Sequence, residues 1–388
     1  MLRKIISSFK KSIQTLDHNE TRVSLFEDPQ LIDFEPVRGC NLRCRMCHVS
    51  FMTDKVKYLN FDDIDFSFCA GKTVTIGAVF EPLIHPKINT FIDSLNKVGA
   101  SLVIITNGHN LNRKEIPALF ESDLEMVTFS FDGISKESYE EIRVGGDFSR
   151  TVENIEKFIE HHKPKGAKFA INFTILKRNL DEVKDAPNFW TKRGVDLVRF
   201  IGMVVRENDD YLIENNLLEI QDEYSEALKG AIQTVNGNGL DISISNPRFR
   251  EWFPADCPDG IYNRLQGKVS SSFISVHHKY EFNTGSPIGN NCASPFTAAR
   301  IDFDGNVFLC HNQLVGNLQS DSFKNIWLSQ EAVLLRKELI ETQSLCNSCD
   351  YFKLCINSHY LDTRAPENYF SNDFKERYPE KYKEIVKV

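Results

Sequence analysis

Several features are missing from this 388-residue chain, and each absence narrows what the protein can be. No run of 18 apolar residues occurs, so the sequence predicts no membrane-spanning helix. The first residues, Met1 to Lys11, are too polar to form the apolar core of a signal peptide. The net charge of -8 argues against a broad basic surface for nucleic acid. We therefore expect a cytoplasmic globular protein that binds neither nucleic acid nor a membrane.

The ten cysteines lie mostly in two groups, and without a secretory signal they favour metal or redox chemistry over disulfides. Cys40, Cys44 and Cys47 form the pattern C-x3-C-x2-C. A structural zinc site takes four protein ligands, whereas three thiolates on one loop suit a cubane iron–sulfur cluster with one iron left open. A zinc loop remains the alternative on spacing alone.

Short apolar runs alternate with longer amphipathic stretches from residue 31 to about residue 205. Strands that alternate with helices predict parallel βαβ units, and in such folds functional groups gather at the carboxyl ends of the strands. We predict helices at 88–98 and 150–161 between the strands. The predicted strands are 31–36, 73–76, 102–105, 126–131, 169–174 and 197–201.

The cysteine pattern and the segments after these strands resemble the radical S-adenosylmethionine (SAM) superfamily. Residues 77–82, Gly-Ala-Val-Phe-Glu-Pro, are similar to the family's Gly-Gly-Glu-Pro segment. Thr-Asn-Gly at 106–108 and Ser-Phe-Asp-Gly at 130–133 follow the next two strands. The resemblance implies a partial (β/α)6 barrel whose cluster binds SAM through the open iron. It further implies reductive cleavage of SAM to a 5'-deoxyadenosyl radical, which abstracts a hydrogen atom from a substrate C–H bond.

The resemblance also implies roles for individual residues. Cys40, Cys44 and Cys47 hold the cluster, and Glu81 with its neighbouring backbone holds the SAM amino group. Arg143 pairs with the SAM carboxylate, because a guanidinium fork matches that planar anion. The other residues expected near SAM are Thr106, Asn107, Ser130, Asp132 and Asn172.

The C-terminal cysteines resemble the SPASM/Twitch extension of the same superfamily. Cys292 and Cys310 flank a predicted hairpin that turns at residues 304–305, Asp-Gly, and a helix is predicted at about 330–341. The resemblance implies one auxiliary [4Fe–4S] cluster, with Cys355 as a reserve ligand. A second cluster with His359 as a ligand and a zinc site are the alternatives. The preferred auxiliary ligands are Cys292, Cys310, Cys346 and Cys349.

The predicted fold is α/β, a partial (β/α)6 barrel with a small C-terminal α+β SPASM/Twitch domain. We expect an N-terminal helical extension (1–27), the barrel (28–205), a linker that covers the active site (206–288) and the auxiliary-cluster domain (289–388). Cys257 falls in the linker and is a candidate hydrogen-atom donor, as in radical SAM epimerases, with Cys69 as the other candidate. An unpaired cysteine is more often a small buried apolar residue.

The expected reaction is the oxidation, epimerisation or crosslinking of a small metabolite such as a sugar or cyclitol. Only about thirty residues precede the first strand, which is too few for the leader-binding domain of many peptide-modifying relatives. A small molecule or a short peptide is therefore the expected substrate, and flavodoxin or ferredoxin the expected reductant. The alternatives are a maturase of peptides or proteins and a zinc-binding protein without chemistry.

Overall fold

The computed structural model describes residues 29, 31–112, 114–203, 209–217, 220–235, 241–245, 295, 298–310 and 313–341. In chain order the strands of this part are β1 (Leu31–Phe34), β2 (Val37–Arg38), β3 (Arg43–Cys44), β4 (Lys57–Tyr58), β5 (Thr73–Ile76), β6 (Ser101–Thr106), β7 (Leu124–Ser130), β8 (Arg143–Val144), β9 (Lys168–Ile175), β10 (Leu197–Gly202), β11 (Asp241–Ser245), β12 (Ala298–Ile301), β13 (Asn306–Cys310) and β14 (Gln313–Asn317). The α-helices are α1 (Ile88–Lys97), α2 (Pro117–Glu121), α3 (Lys136–Ile142), α4 (Phe148–His162), α5 (Ala186–Thr191), α6 (Asp210–Glu214), α7 (Gln221–Val235), α8 (Phe323–Trp327) and α9 (Gln330–Glu341).

A parallel sheet forms the first of two compact units, which among the described residues comprises 31–245 and 300–306. Its strands lie in the order β11-β10-β9-β7-β6-β5-β1, and every neighbouring pair is parallel. The six predicted strands are confirmed, with small differences at their ends. Strand β11 was not predicted, and it adds one more parallel strand beside β10 within the predicted linker.

Helices cover the outer face of this sheet. Asp147 caps α4 by accepting a hydrogen bond from the Arg150 backbone N–H, which satisfies a donor that the helix itself cannot pair. The apolar side of α4 then packs Phe158 against Phe129 and Phe169, with ring centroids 6.3 and 6.4 Å apart. Because side chains alternate across a strand, the neighbours of these phenylalanines face the inside of the curved sheet.

The inner face has an apolar layer and a polar layer. Val103, Met126, Ala170 and Leu197 form a buried apolar cluster towards the amino ends of the strands. Nearer the carboxyl ends the inner positions are polar, because Asn172 follows Ala170 and Arg199 follows Leu197 at the alternating spacing. Other members of the polar layer are Asp33, Thr75, Thr128 and Ser130. The apolar cluster closes one end, so the polar side chains lie between it and the loops that follow the strands.

The described part of the second unit comprises residues 29, 295, 298–299, 307–310 and 313–341. Its centre is Trp327, whose ring lies 4.2 Å from the Arg336 guanidinium carbon. Arg336 is buried and donates to the backbone carbonyls of Pro295 and Trp327 at 2.7 and 2.8 Å. Burial lowers the pKa of Arg336 to about 9. The predicted helix at 330–341 is confirmed as α9.

The predicted hairpin is also present, with β12 and β13 on either side of a turn in which Gly305 has φ +79°. Residues 300–306, which contain this turn, belong to the first unit. Among the helices of the described residues, none has the length and hydropathy needed to cross a bilayer.

Candidate functional site

The three-cysteine loop follows β1 at the carboxyl end of the parallel sheet. Cys44 is buried, and Cys40 and Cys47 are half-buried. The loop is pinned by a short antiparallel pairing of β3 with β8, in which Cys44 lies opposite Arg143. The Cys47 N–H donates to the Cys44 carbonyl at 3.0 Å, and the Leu42 N–H lies 3.4 Å from Cys40 Sγ. The fold thus holds the three thiols on one loop beside the strand ends.

Arg143 reaches the cysteines through this strand pairing. Its Nη1 atom lies 3.9 Å from Cys44 Sγ, and its Nη2 atom lies 2.6 Å from Asp132 Oδ2. Both partners of the ion pair are buried. Burial opposes the charged form of Arg143, but Asp132 together with Cys44 and two weaker neighbours outweighs it, and the pKa of Arg143 rises above its usual value. Asp132 is itself held by the Thr174 N–H at 2.7 Å. The result is a fixed positive charge against one cysteine sulfur.

Glu81, Thr106 and Asn107 form a second network. The Glu81 carboxylate accepts the Asn107 N–H at 2.7 Å, the Thr106 hydroxyl at 2.8 Å and the Leu83 N–H at 3.1 Å. The Asn107 side-chain amide then lies 3.7 Å from Cys40 Sγ. Burial raises the pKa of Glu81 to about 7, although these donors and the Arg143 charge lower it. The sulfurs of Cys40 and Cys44 therefore each have a nitrogen donor beside them.

The thiols have the chemistry of cluster ligands. Burial raises the pKa of Cys40, and it raises that of Cys44 to about 12 although Arg143 lowers it. Both are therefore protonated in the free protein at neutral pH, and a cluster held by these two cysteines would require the release of their protons. Across the described residues, no three His, Cys, Asp or Glu side chains form a group that could hold a metal ion. In a cubane cluster each thiolate binds a different iron, so the three cysteines need not point at one metal ion. Three thiols on one loop therefore fit a cubane iron–sulfur cluster.

Two other predicted residues face the inside of the sheet. Asn172 lies on β9 opposite Ser130 of β7, and its Oδ1 atom accepts a hydrogen bond from Arg199 Nη1 at 2.9 Å. Ser130 is half-buried at the end of its strand. Burial lowers the pKa of Arg199 to about 10. Arg199 was not predicted from the sequence, and neither was Glu35, a buried carboxylate that lies below the 77–81 loop. The only sequence feature that marks Arg199 and Glu35 is a charged residue alternating with apolar residues along a predicted strand.

Of the remaining cysteines, only Cys69 and Cys310 are among the described residues. Cys69 is fully buried in a 3-10 helix, Phe66–Cys69, whose Phe66 ring packs against Phe34 and Phe91 on the outer face of the sheet. Cys310 is half-buried at the end of β13. Four predicted auxiliary ligands and the candidate hydrogen donor lie outside the described residues, namely Cys292, Cys346, Cys349, Cys355 and Cys257. His359 and the predicted N-terminal helix lie outside them as well.

Family comparisons agree with this geometry. Residues 34–189 match the radical SAM superfamily, and residues 292–350 match the SPASM iron–sulfur cluster-binding domain. The chain therefore carries a radical SAM domain and, C-terminal to it, a SPASM domain. It is therefore an enzyme, which sets aside the alternative of a zinc protein without chemistry. The radical SAM domain implies a [4Fe–4S] cluster and SAM as cofactors. The SPASM domain implies auxiliary iron–sulfur clusters.

Curated and structural relatives extend over most of the chain. An AdoMet-dependent heme synthase from Methanosarcina barkeri is 25% identical, covering 90% of this chain and 97% of that protein. A GTP 3',8-cyclase from Alkaliphilus oremlandii is 28% identical, covering 61% and 79%. The crystal structure of Streptococcus suis SuiB with S-adenosylmethionine superposes with a TM-score of 0.58 at 16% identity, covering 91% of this chain and 75% of SuiB. The likeness to SuiB establishes a shared fold.

Proposed function

We propose that this radical SAM enzyme abstracts a hydrogen atom from a C–H bond of a small polar metabolite. The observation that carries the proposal is the position of the Cys40–Cys47 loop, at the carboxyl ends of the strands and above the polar inner layer. The Arg199 guanidinium and the Asn172 amide belong to that layer. A substrate below the cluster would meet them, and a buried guanidinium favours anionic or strongly polar groups.

The cofactors supply the hard chemistry, namely a reductively generated 5'-deoxyadenosyl radical. The protein residues bind and orient them. We propose Cys40, Cys44 and Cys47 as the cluster ligands and Arg143 as the partner of the SAM carboxylate. Arg143 is suited to this because Asp132 keeps it charged and immobile. Glu81, Thr106, Asn107, Ser130, Asp132 and Asn172 complete the proposed SAM environment.

A small-molecule substrate is supported by the sequence relatives. The heme synthase is named for its product and the GTP 3',8-cyclase for its substrate, and both heme and GTP are small molecules rather than peptides. Sugars and cyclitols remain within the proposed class. Oxidation, epimerisation and crosslinking remain the proposed outcomes, with flavodoxin or ferredoxin as the reductant.

A peptide substrate is the second candidate. SuiB was also solved with its precursor peptide SuiA, and that structure superposes with a TM-score of 0.56 at 16% identity. A peptide would have to enter the same barrel to bring a C–H bond to the cofactor. Co-purification of a short peptide that is consumed during turnover would favour this candidate over a metabolite.

The proposal is tested by anaerobic reconstitution and measurement of 5'-deoxyadenosine release. Cys47→Ala removes one proposed ligand, and Cys69→Ala is the matched control, because Cys69 is a buried cysteine on the outer face of the sheet, away from the Cys40–Cys47 loop. We expect Cys47→Ala to abolish SAM cleavage and to lose about four irons per chain, whereas Cys69→Ala keeps both. Equal cleavage by the wild type and Cys47→Ala would contradict the proposed cluster site.

A further inference from the structure

The loop after β5 departs from the glycine-rich pattern of its family. Ala78, Val79 and Phe80 stand where the resemblance implies small, flexible residues. Yet their backbone N–H groups converge on one side chain. The Glu35 carboxylate accepts Ala78 N–H at 2.7 Å and Val79 N–H at 2.8 Å through Oε1, and Phe80 N–H at 3.3 Å through Oε2. Both oxygens of Glu35 are thus engaged by successive amides of a single loop.

Glu35 is placed for this contact by the sheet. It directly follows β1, whose last residue Phe34 pairs with Ile76, the last residue of β5. Its own N–H donates to the Ile301 carbonyl at 2.8 Å, which fixes its backbone. The side chain is buried, and burial raises its pKa to about 7, against the lowering effects of the three amides and of Arg300. Three successive N–H groups around a carboxylate form the kind of concavity that backbone amides make for anions.

The same loop is tied to the cysteine site on its other side. The Glu81 N–H donates to the Gly39 carbonyl at 3.1 Å, immediately before Cys40. The Glu81 side chain holds the Asn107 amide. A shift in the backbone of residues 78–80 would therefore move both the start of the cysteine loop and the Glu81 network.

The hydrogen bonds to Glu35 also determine what this loop can offer a ligand. The N–H groups of residues 78–80 are all taken, so the backbone groups left for a ligand are carbonyl oxygens. Carbonyl oxygens accept hydrogen bonds and suit a cationic donor such as the amino group of SAM. The carboxylate under the loop adds negative charge behind them.

We propose that Glu35 is a positioning residue, which fixes the backbone of Ala78–Phe80 in the conformation that receives the SAM amino group. It replaces, through three charge-assisted hydrogen bonds, the conformational control that glycines give in the family pattern. Glu35 itself touches the loop and not SAM. This role rests on the proposed function, because it requires SAM to bind at the Cys40–Cys47 loop.

The test compares SAM binding by reconstituted holoenzyme variants. Glu35→Gln keeps the side-chain shape but removes the charge and turns an N–H donor towards one of the amides. We expect the Kd for SAM, measured by anaerobic calorimetry, to rise about tenfold, since a charge-assisted hydrogen bond is replaced by a weaker or missing one. We also expect a smaller change of the cluster EPR signal on SAM addition, with iron content unchanged. Glu35→Asp keeps the charge but shortens its reach and should weaken SAM binding as well, so it serves if Glu35→Gln folds poorly.

Asp196→Asn is the matched control. Asp196 is also a carboxylate that accepts a backbone N–H, from Phe169 at 2.9 Å, but it lies at the amino ends of β9 and β10, away from the 78–80 loop. We expect it to bind SAM as the wild type does. Unchanged SAM affinity in both Glu35 variants would overturn the positioning role, and so would equal weakening by Asp196→Asn, which would indicate a general effect of removing a carboxylate. A wild-type protein that holds the iron but binds no SAM would overturn the proposed function itself.

Discussion

We predict that the buried carboxyl of Asp33 makes the free energy of unfolding of this enzyme fall as the pH rises. Asp33 lies on the inner face of β1, beside Thr75, its register partner on β5. Burial raises its pKa from 3.8 to about 7, while the neighbouring Thr75 and Arg300 lower it. Between these two values the folded protein holds a proton that the unfolded chain has released.

The sign follows from proton linkage. The folded state binds more protons than the unfolded state in this window, so the free energy of unfolding falls as pH rises. Each pKa step of one is worth about 1.4 kcal/mol, so the full rise of Asp33 corresponds to about 4 kcal/mol. About 3 kcal/mol of that is lost between about pH 5 and about pH 8. Above the folded pKa no further loss from Asp33 occurs.

Asp33→Asn removes the titration and keeps the shape. We expect the melting temperature of the variant, relative to the wild type, to increase by roughly 6–12 °C between about pH 5 and about pH 8. The assay is anaerobic thermal unfolding of reconstituted protein across that range. Asp65→Asn is the control, because the hydrogen bonds from Ser67 lower the pKa of Asp65 and it stays ionised throughout the range. If the melting temperatures of Asp33→Asn and the wild type differ by the same amount at every pH, the reasoning is refuted.

Two further predictions concern residues around the cysteine site. Asp132→Asn should destabilise the protein by about 3–5 kcal/mol, because it leaves the buried Arg143 charge without its carboxylate, and a second change, Arg143→Met, should recover part of the melting temperature. A melting temperature unaffected by Asp132→Asn would contradict an ionic pair. Gly77→Ala should lower the melting temperature more than Gly99→Ala does: both glycines have positive φ, but a Cβ at Gly77 would lie 2.5 Å from the Pro82 ring, whereas nothing lies within 4 Å at Gly99. Equal effects of the two glycine variants would show that the Pro82 contact relaxes.

The parallel strands could be predicted because each contains a short run of mostly apolar residues. Residues 102–105 were predicted and Ser101–Thr106 is observed, since a strand buried on one side by helices and on the other by the apolar cluster needs few polar residues. Strand β11 has the sequence Asp-Ile-Ser-Ile-Ser, which alternates over only five residues. Such a short alternating run does not stand out from loop sequence, and only its pairing with β10 identifies it.

Within the candidate site, the residues were predicted from the sequence but their contacts were not. The C-x3-C-x2-C spacing and Arg143 were both recognised, yet their contact depends on a two-residue strand pairing between segments 99 positions apart. A pairing that short has no periodicity to detect. Glu35 was missed for a different reason. Its partners are backbone N–H groups, which nearly every residue carries, so no residue type marks the other end of the contact.

Buried carboxylates that accept backbone N–H groups explain how this site tolerates changed side chains. Glu35 holds residues 78–80, Glu81 holds the amides of Leu83 and Asn107, and Asp132 holds that of Thr174. Burying each charge costs free energy, and charge-assisted hydrogen bonds offset that cost only if the loop keeps its backbone path. Such a contact selects a main-chain conformation and is indifferent to the side chains above it. The loop after β5 can therefore carry alanine, valine and phenylalanine in place of glycine, while a single substitution below it, at Glu35, is expected to disturb the geometry that those glycines would otherwise have supplied.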